Sequence, residues 1–361
     1  MNKNRFNRKI IGLAVSLMTC AVFAQEKPIM TTPSHLANDT SSAFSTQPFE
    51  NDDLDVGSYH IQRVQFDSHG TNVVGNLLMP KTTPRAAVVV MGPVAFVKEQ
   101  SPIQYASRLV KHGYAVLIFD PRYHGESAGE PRRFESRSAK VEDISAAVDY
   151  MQRNVNTKKL PILGLGICQG VNWVIEAATK DPRISKISIV AGHYLTPEIA
   201  ALYTGSAENA ARRIEQAKQA KAQFEQTGTV SYIPIVSEND PKALLGAPFI
   251  RQFYSRWSDR GSFWNFHGLW ENRITQMSEA DIWGHDIRPI AAQLSTPVLM
   301  IHADHAASGE KAPREIFQMI PAKRKQLEWL GKRNQMQFYE DPITIDLAVE
   351  KIDDFFAQPT K

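Results

Sequence analysis

From Tyr59 onward the chain moves between two hydrophobic periods. "YHIQRVQF" alternates apolar with polar, and "NVVGNLLMP" follows after a His-Gly turn, which predicts an antiparallel hairpin. Beyond it, short apolar runs take turns with helical stretches. "AAVVVMG", "YAVLIFD", "PILGLGI", "KISIVAG" and "PVLMIHAD" read as strands, with "KQLEWL" as the last. "SPIQYASRLVKHG" reads as a helix with Pro102 in its first turn and Gly113 at its end. In "SAKVEDISAAVDYMQRN", Val141, Ile144, Val148 and Met151 share one face. In "ITIDLAVEKIDDFF", Ile345, Ala348, Ile352 and Phe355 do the same. Another helix starts at Gln169, and "APREIFQMI" supplies one more. Strands that are apolar throughout, alternating with helices, predict an α/β fold with a mostly parallel sheet covered on both faces.

Two regions escape the alternation. From about Tyr194 to Asp286 a long charged helical stretch is followed by a segment dense in aromatics. This reads as a helical cap over the C-terminal edge of the sheet, residues about 194–286, with Trp257, Trp264, Trp270 and Trp283 packing cap to sheet. Residues 25–56 are polar and aperiodic, and read as a flexible leader. Ahead of it, "MNKNRFNRK" is basic, "IIGLAVSLMTCAVF" is a short apolar core, and "VFA" precedes Gln25. That order predicts a cleavable secretory signal over residues 1–24, and so a periplasmic or secreted protein. The expected α/β domain spans 57–358.

Composition changes this picture little. The formal charge is +3, but the expected signal holds Lys3, Arg5, Arg8 and Lys9, whose removal leaves −1. Such a balance points to neither nucleic acid nor an anionic surface as partner. Once the signal is cleaved, no stable membrane insertion is expected. The histidines are scattered without metal-ligand spacing, and no phosphate-binding glycine loop appears, so no cofactor or metal is implied. Of the two cysteines, Cys20 leaves with the signal. Cys168 remains alone, unable to form an internal disulfide, and must be either buried or useful.

Its setting favours use. Cys168 stands in Gly166-Ile167-Cys168-Gln169-Gly170, between a strand and a helix start. A tight strand-to-helix turn needs flanking glycines and holds its middle residue in a strained pose, exposed above the sheet edge. The following helix N-terminus favours a thiolate, and the Gln169 amide can donate to an oxyanion. A second donor is expected from the loop "MGPVAFVKEQ". Pro93 has no N–H, which leaves Val94 or Ala95.

The chain resembles the α/β-hydrolase superfamily over essentially all of Tyr59 to Phe356. Within it, the chain resembles the YcjY-like hydrolases, with dienelactone hydrolase as a more distant cysteine-nucleophile relative. The resemblance is carried by "VKEQSPIQYASRLVKHGYAVLIFDPRYHGESAGEPRRFESRSAKVEDISAAVDYM", "LGICQG" and "TPVLMIHAD", in which "DPRYHGES" matches the Asp-x-Arg-x-x-Gly-x-Ser loop. It implies a twisted sheet of about eight strands. It also implies acyl hydrolysis or transfer on a small ester or thioester, by a nucleophile, an acid and a histidine in that chain order.

The histidine is missing. Where the resemblance places it, "KRNQMQFYEDP" has Gln335, with Asn334 beside it, and neither accepts a proton at neutral pH. Asp304 in "HADHAAS" is the candidate acid. Three readings stay open. His305, His302, His193 or His124, all on loops at the catalytic edge, substitutes as base. Alternatively Cys168 works without one, which permits acylation but slows hydrolysis. Or the protein is a non-catalytic pseudoenzyme that binds through the capped pocket. Lys98 and Glu99 match the "VKEQ" of the resembled family, where a carboxylate would hold the thiol neutral until substrate arrives, but the favoured reading is an exposed ion pair at a helix start.

Overall fold

Nine strands form one sheet in the computed structural model, which describes residues 53–258 and 269–359. In chain order the strands are β1 (Asp53–Asp55), β2 (Tyr59–Ser68), β3 (Thr71–Pro80), β4 (Ala86–Met91), β5 (Tyr114–Phe119), β6 (Ile162–Ile167) and β7 (Ile184–Val190). A detached pair, β8 (Tyr232–Ile233) and β9 (Ile274–Thr275), precedes β10 (Val298–His302) and β11 (Lys325–Trp329). The sheet order is β1-β2-β3-β5-β4-β6-β7-β10-β11. β2 and β3 pair as the expected hairpin, from Tyr59 opposite Pro80 to Ser68 opposite Thr71. From β5 to β11 every pairing is parallel. The count exceeds the expected eight because Asp53–Asp55, assigned by pattern to the polar leader, pairs with β2 as an edge strand. The signal-like residues 1–24 and most of the leader lie outside the described residues.

The helices are α1 (Ser101–Leu109), α2 (Arg137–Arg153), α3 (Gly170–Lys180), α4 (Pro197–Thr204), α5 (Ala207–Thr227), α6 (Pro248–Ser258), α7 (Ser278–Trp283), α8 (Arg288–Ala291), α9 (Lys311–Met319), α10 (Gln337–Glu340) and α11 (Pro342–Ala357). α2 and α3 pack together on the sheet, and α1 packs with α11. β4, β5 and β6 are buried along their whole length, as parallel strands between two helical layers must be. Each fully buried Val, Leu or Ile there contributes about 1.5–3 kcal/mol. The predicted apolar faces point inward: Val141, Ile144, Val148 and Met151 on α2, and Ile345, Ala348, Ile352 and Phe355 on α11, are all buried.

The chain between β7 and β10 forms the cap. Thr196 and Ser206 cap α4 and α5 through their hydroxyls. α4, α5 and α7 pack on one another, and β8 with β9 adds a strand pair that periodicity had not suggested. Trp270 and Trp283 are buried and Trp257 is partly buried against the core, as expected; Trp264 lies outside the described residues. Among the described residues no helix is long and apolar enough to cross a membrane.

Candidate active site

β6 ends at Ile167 and α3 begins at Gly170, so Cys168 occupies the turn between them with φ +55°. A non-glycine residue in that region is strained and persists only where its surroundings hold it. The flanking glycines are sterically required. A Cβ on Gly170 would lie 2.4 Å from the Met91 carbonyl oxygen and 2.5 Å from that of Gly92. On Gly166 it would lie 2.8 Å from Val171 Cα. The turn is pinned by the Cys168 N–H donating to the Val190 carbonyl at 3.0 Å and by the His193 N–H donating to the Cys168 carbonyl at 3.1 Å.

The thiol faces three donors: the backbone N–H groups of Gln169 and Val94, and the Tyr339 hydroxyl. The neighbouring Ala95 N–H is spent elsewhere, donating to Glu135 Oε2 at 3.0 Å. Sequence reasoning expected an exposed thiol, activated by the helix N-terminus. The structure corrects this. Cys168 is only 5% exposed, and burial pushes its thiol up to about 11, against the pull of Tyr339, the two amides and Lys140. Desolvation of the thiolate outweighs all the local donors, so the resting group is a neutral thiol. Burial and the nearby Cys168 also hold the hydroxyls of Tyr203, Tyr254 and Tyr339 protonated.

Gln335 stands one step behind Tyr339. Its Nε2 donates to the Tyr339 hydroxyl at 3.0 Å and to the Ala191 carbonyl at 3.0 Å, while its Oε1 accepts the Ala307 N–H at 2.8 Å. The buried carboxamide therefore joins the end of β7, the loop after β10 and Tyr339. Tyr339 was missed in the sequence. The available signal was its place four residues after Gln335, a spacing that lets two side chains meet on a helical turn. Asn334 caps the same turn, its Oδ1 accepting the Met336 N–H at 2.9 Å.

The four candidate histidines separate clearly. His305 is exposed, and its backbone pairs with Asn334. His302 is buried between Tyr194 and Trp329, its ring nitrogens 3.0 Å from the Ala303 carbonyl oxygen and 3.2 Å from that of Gly192. His124 points Nδ1 at the Arg122 carbonyl and Nε2 at Glu135, 3.4 Å away. Burial, then the charges of Lys140 and Arg133, hold it well below the usual imidazole range. His193 alone lies against Cys168, through its backbone amide; its buried Nε2 has no partner, and burial pushes it down to about 4. Asp304 accepts from the Trp329 indole N–H rather than from any histidine.

Lys98 and Glu99 are not the exposed pair that the pattern suggested. Both are buried, with Lys98 Nζ 2.8 Å from Glu99 Oε1, 2.8 Å from Asp120 Oδ2 and 2.6 Å from Glu126 Oε2. Asp120 and Glu126 come from the "DPRYHGES" loop, which folds back under the Val94 loop and fixes it. A second buried pair, Lys140 with Glu135, braces the same loop through Ala95.

The parallel sheet in this order, a strained cysteine where β6 turns into α3, and a segment inserted between β7 and β10 give the chain the α/β-hydrolase fold. The family described as serine aminopeptidase, S33, matches residues 70–245. The chain is 29% identical to protein PA2218 of Pseudomonas aeruginosa over 237 residues, 63% of this chain and 62% of that one. The match thus spans about three fifths of that relative's length. The crystal structure of PA2218 superposes with a TM-score of 0.71 at 24% identity, covering 86% of this chain and 98% of that one. Protein YcjY of Escherichia coli is 37% identical over 110 residues, 30% of this chain and 36% of that one. GrgF of a Penicillium species, called a polyketide transferase, is 32% identical over 131 residues, 36% of this chain and 42% of that one. Its crystal structure gives a TM-score of 0.68 at 21% identity, covering 82% and 99% of the two chains.

Proposed function

We propose that this protein is an acyl-group enzyme in which Cys168 takes the acyl group from an activated ester or thioester. The observation that carries the reading is the strained cysteine facing the Val94 and Gln169 amides at the mouth of a helix. The sulfur attacks the carbonyl carbon, an S–C bond forms, the bond to the leaving thiol or alcohol breaks, and the thiol proton departs with that group. The two amides are the donors suited to the developing oxyanion. Tyr339, held by Gln335, donates to the sulfur and offsets part of the cost of its charge.

Breakdown of the acyl-enzyme is the slower half. On this reading Gln335, tied to Ala307 and Ala191, takes the place of the base, and no histidine nitrogen hydrogen-bonds the sulfur among the described residues. Water then lacks an activating group. An acceptor with its own nucleophilicity, an amine or a thiol, reacts more readily, so transfer outpaces hydrolysis. The transferase designation of GrgF agrees with this reading. Export directed by residues 1–24 belongs to it too, supported by their basic and apolar pattern.

The test is rapid mixing of the protein with an acyl thioester, followed by intact mass, with Cys168→Ala alongside. A Cys168-dependent adduct that persists in buffer and collapses on addition of an amine is expected. Absence of any adduct across short and long acyl chains would refute the proposal and leave a protein that only binds.

A further inference from the structure

Two residues whose backbones flank Cys168 carry three side-chain polar atoms that find no hydrogen-bond partner among the described residues. His193 is buried and its Nε2 has no hydrogen-bond partner. Gln169 is 0% exposed, and neither Oε1 nor Nε2 of its carboxamide is paired. Both residues are tied to Cys168, Gln169 by chain continuity and His193 by its amide on the Cys168 carbonyl. They are also tied to each other. Asn172 Nδ2 donates to the Gln169 carbonyl at 2.8 Å and to the His193 carbonyl at 2.9 Å, while its Oδ1 accepts the Leu195 N–H at 3.1 Å.

The neighbours that might satisfy His193 are engaged elsewhere. Tyr203, whose ring centroid lies 4.6 Å from that of the imidazole, donates its hydroxyl to the Ala307 carbonyl. Trp283, 6.2 Å away, donates its indole N–H to Glu279. Orphaned buried polar atoms are costly, and these three belong to the two residues joined to the Cys168 backbone, where a substrate's acyl group would arrive.

We infer that His193 and Gln169 form a polar subsite beside Cys168 that takes a hydroxyl or keto oxygen carried on the substrate's acyl chain. This rests on the acyl-transfer reading above and names its substrate class: oxygenated acyl groups in preference to plain alkyl ones. A neutral oxygen suits the subsite because a neutral imidazole and a carboxamide each offer a donor and an acceptor but no charge. The aromatic faces of Tyr203 and Trp283 pack the carbon skeleton around it.

The experiment compares N-acetylcysteamine thioesters of octanoate with those of octanoates bearing one hydroxyl at carbon 3, 5 or 7. The rate of Cys168 acylation is read by intact mass. At least one hydroxylated thioester is expected to acylate about tenfold faster, the value of one added neutral hydrogen bond. In His193→Phe, which keeps an aromatic ring and removes the nitrogen, the ratio is expected to fall to about one; Gln169→Leu serves as the second variant. Equal wild-type rates across the series overturn the inference, as does an unchanged ratio in both variants. Calorimetry with the matching unreactive amides separates the two claims. If no thioester acylates but a hydroxylated amide still binds about tenfold tighter, the acyl-transfer reading fails and the subsite stands. If all the amides bind alike, the subsite fails whatever the thioesters do.

Discussion

Tyr339→Phe removes the side-chain hydroxyl that pulls the Cys168 thiol down most strongly. Burial already pushes the thiol up to about 11, so at pH 8 about one molecule in a thousand is thiolate. A hydrogen bond to a charged group is worth about 1.5–3 kcal/mol. At about 1.4 kcal/mol per pH unit, losing it raises the thiol by one to two units. Cys168 is buried, so solvent screening does not reduce this much. The assay is the rate of alkylation by iodoacetamide against pH, with Cys168→Ala as blank. At pH 8 the variant is expected to react roughly 10- to 100-fold more slowly, with its rate rising at higher pH than in the wild type. The substitution also leaves one Gln335 N–H without its partner, which loosens the site. Loosening would expose the thiol and speed alkylation, the opposite sign. A variant that reacts at the wild-type rate or faster therefore refutes the reasoning.

Gln335→Leu deletes a carboxamide that pairs with the Ala307 N–H, the Ala191 carbonyl and Tyr339. It is expected to cost about 2–4 kcal/mol in denaturant titration, because buried backbone groups lose their partners; a loss under about 1 kcal/mol would show that water replaces it freely. Glu99 is pushed up to about 7, first by burial and then by the charges of Asp120 and Glu126, against Lys98. The folded protein thus holds this proton more tightly than the unfolded chain. The contribution is present below the ordinary carboxylate value and is lost as pH rises through about 7. Glu99→Gln abolishes that loss, so its stability relative to the wild type should improve by about 2 kcal/mol between pH 5 and pH 8. A stability difference that stays constant over that range rules out the buried carboxyl as its source.

Some of the site was legible before any fold was known. Gly166-Ile167-Cys168-Gln169-Gly170 needed only the steric rule that a sharp strand-to-helix turn excludes side chains on both flanks. The second oxyanion donor was narrowed to Val94 or Ala95, with Pro93 removed for want of an N–H. Lys98 and Glu99 were misread because an adjacent Lys-Glu pair usually marks a solvated surface. Here Asp120 and Glu126 arrive from another loop and carry the pair inside. Tyr339 went unseen because its role depends on contact with Cys168, far away along the chain.

Hydrophobic period and turn chemistry are local, acting over a few residues, and for that reason the sequence by itself determined the long strands, most helices, the parallel sheet and the cysteine at its turn. Tertiary structure alone decided the charge on that cysteine, its tyrosine partner and the one histidine beside it. Desolvation and hydrogen bonding depend on every group brought near, and those groups come from β4, β6, β7, the cap and α10 at once.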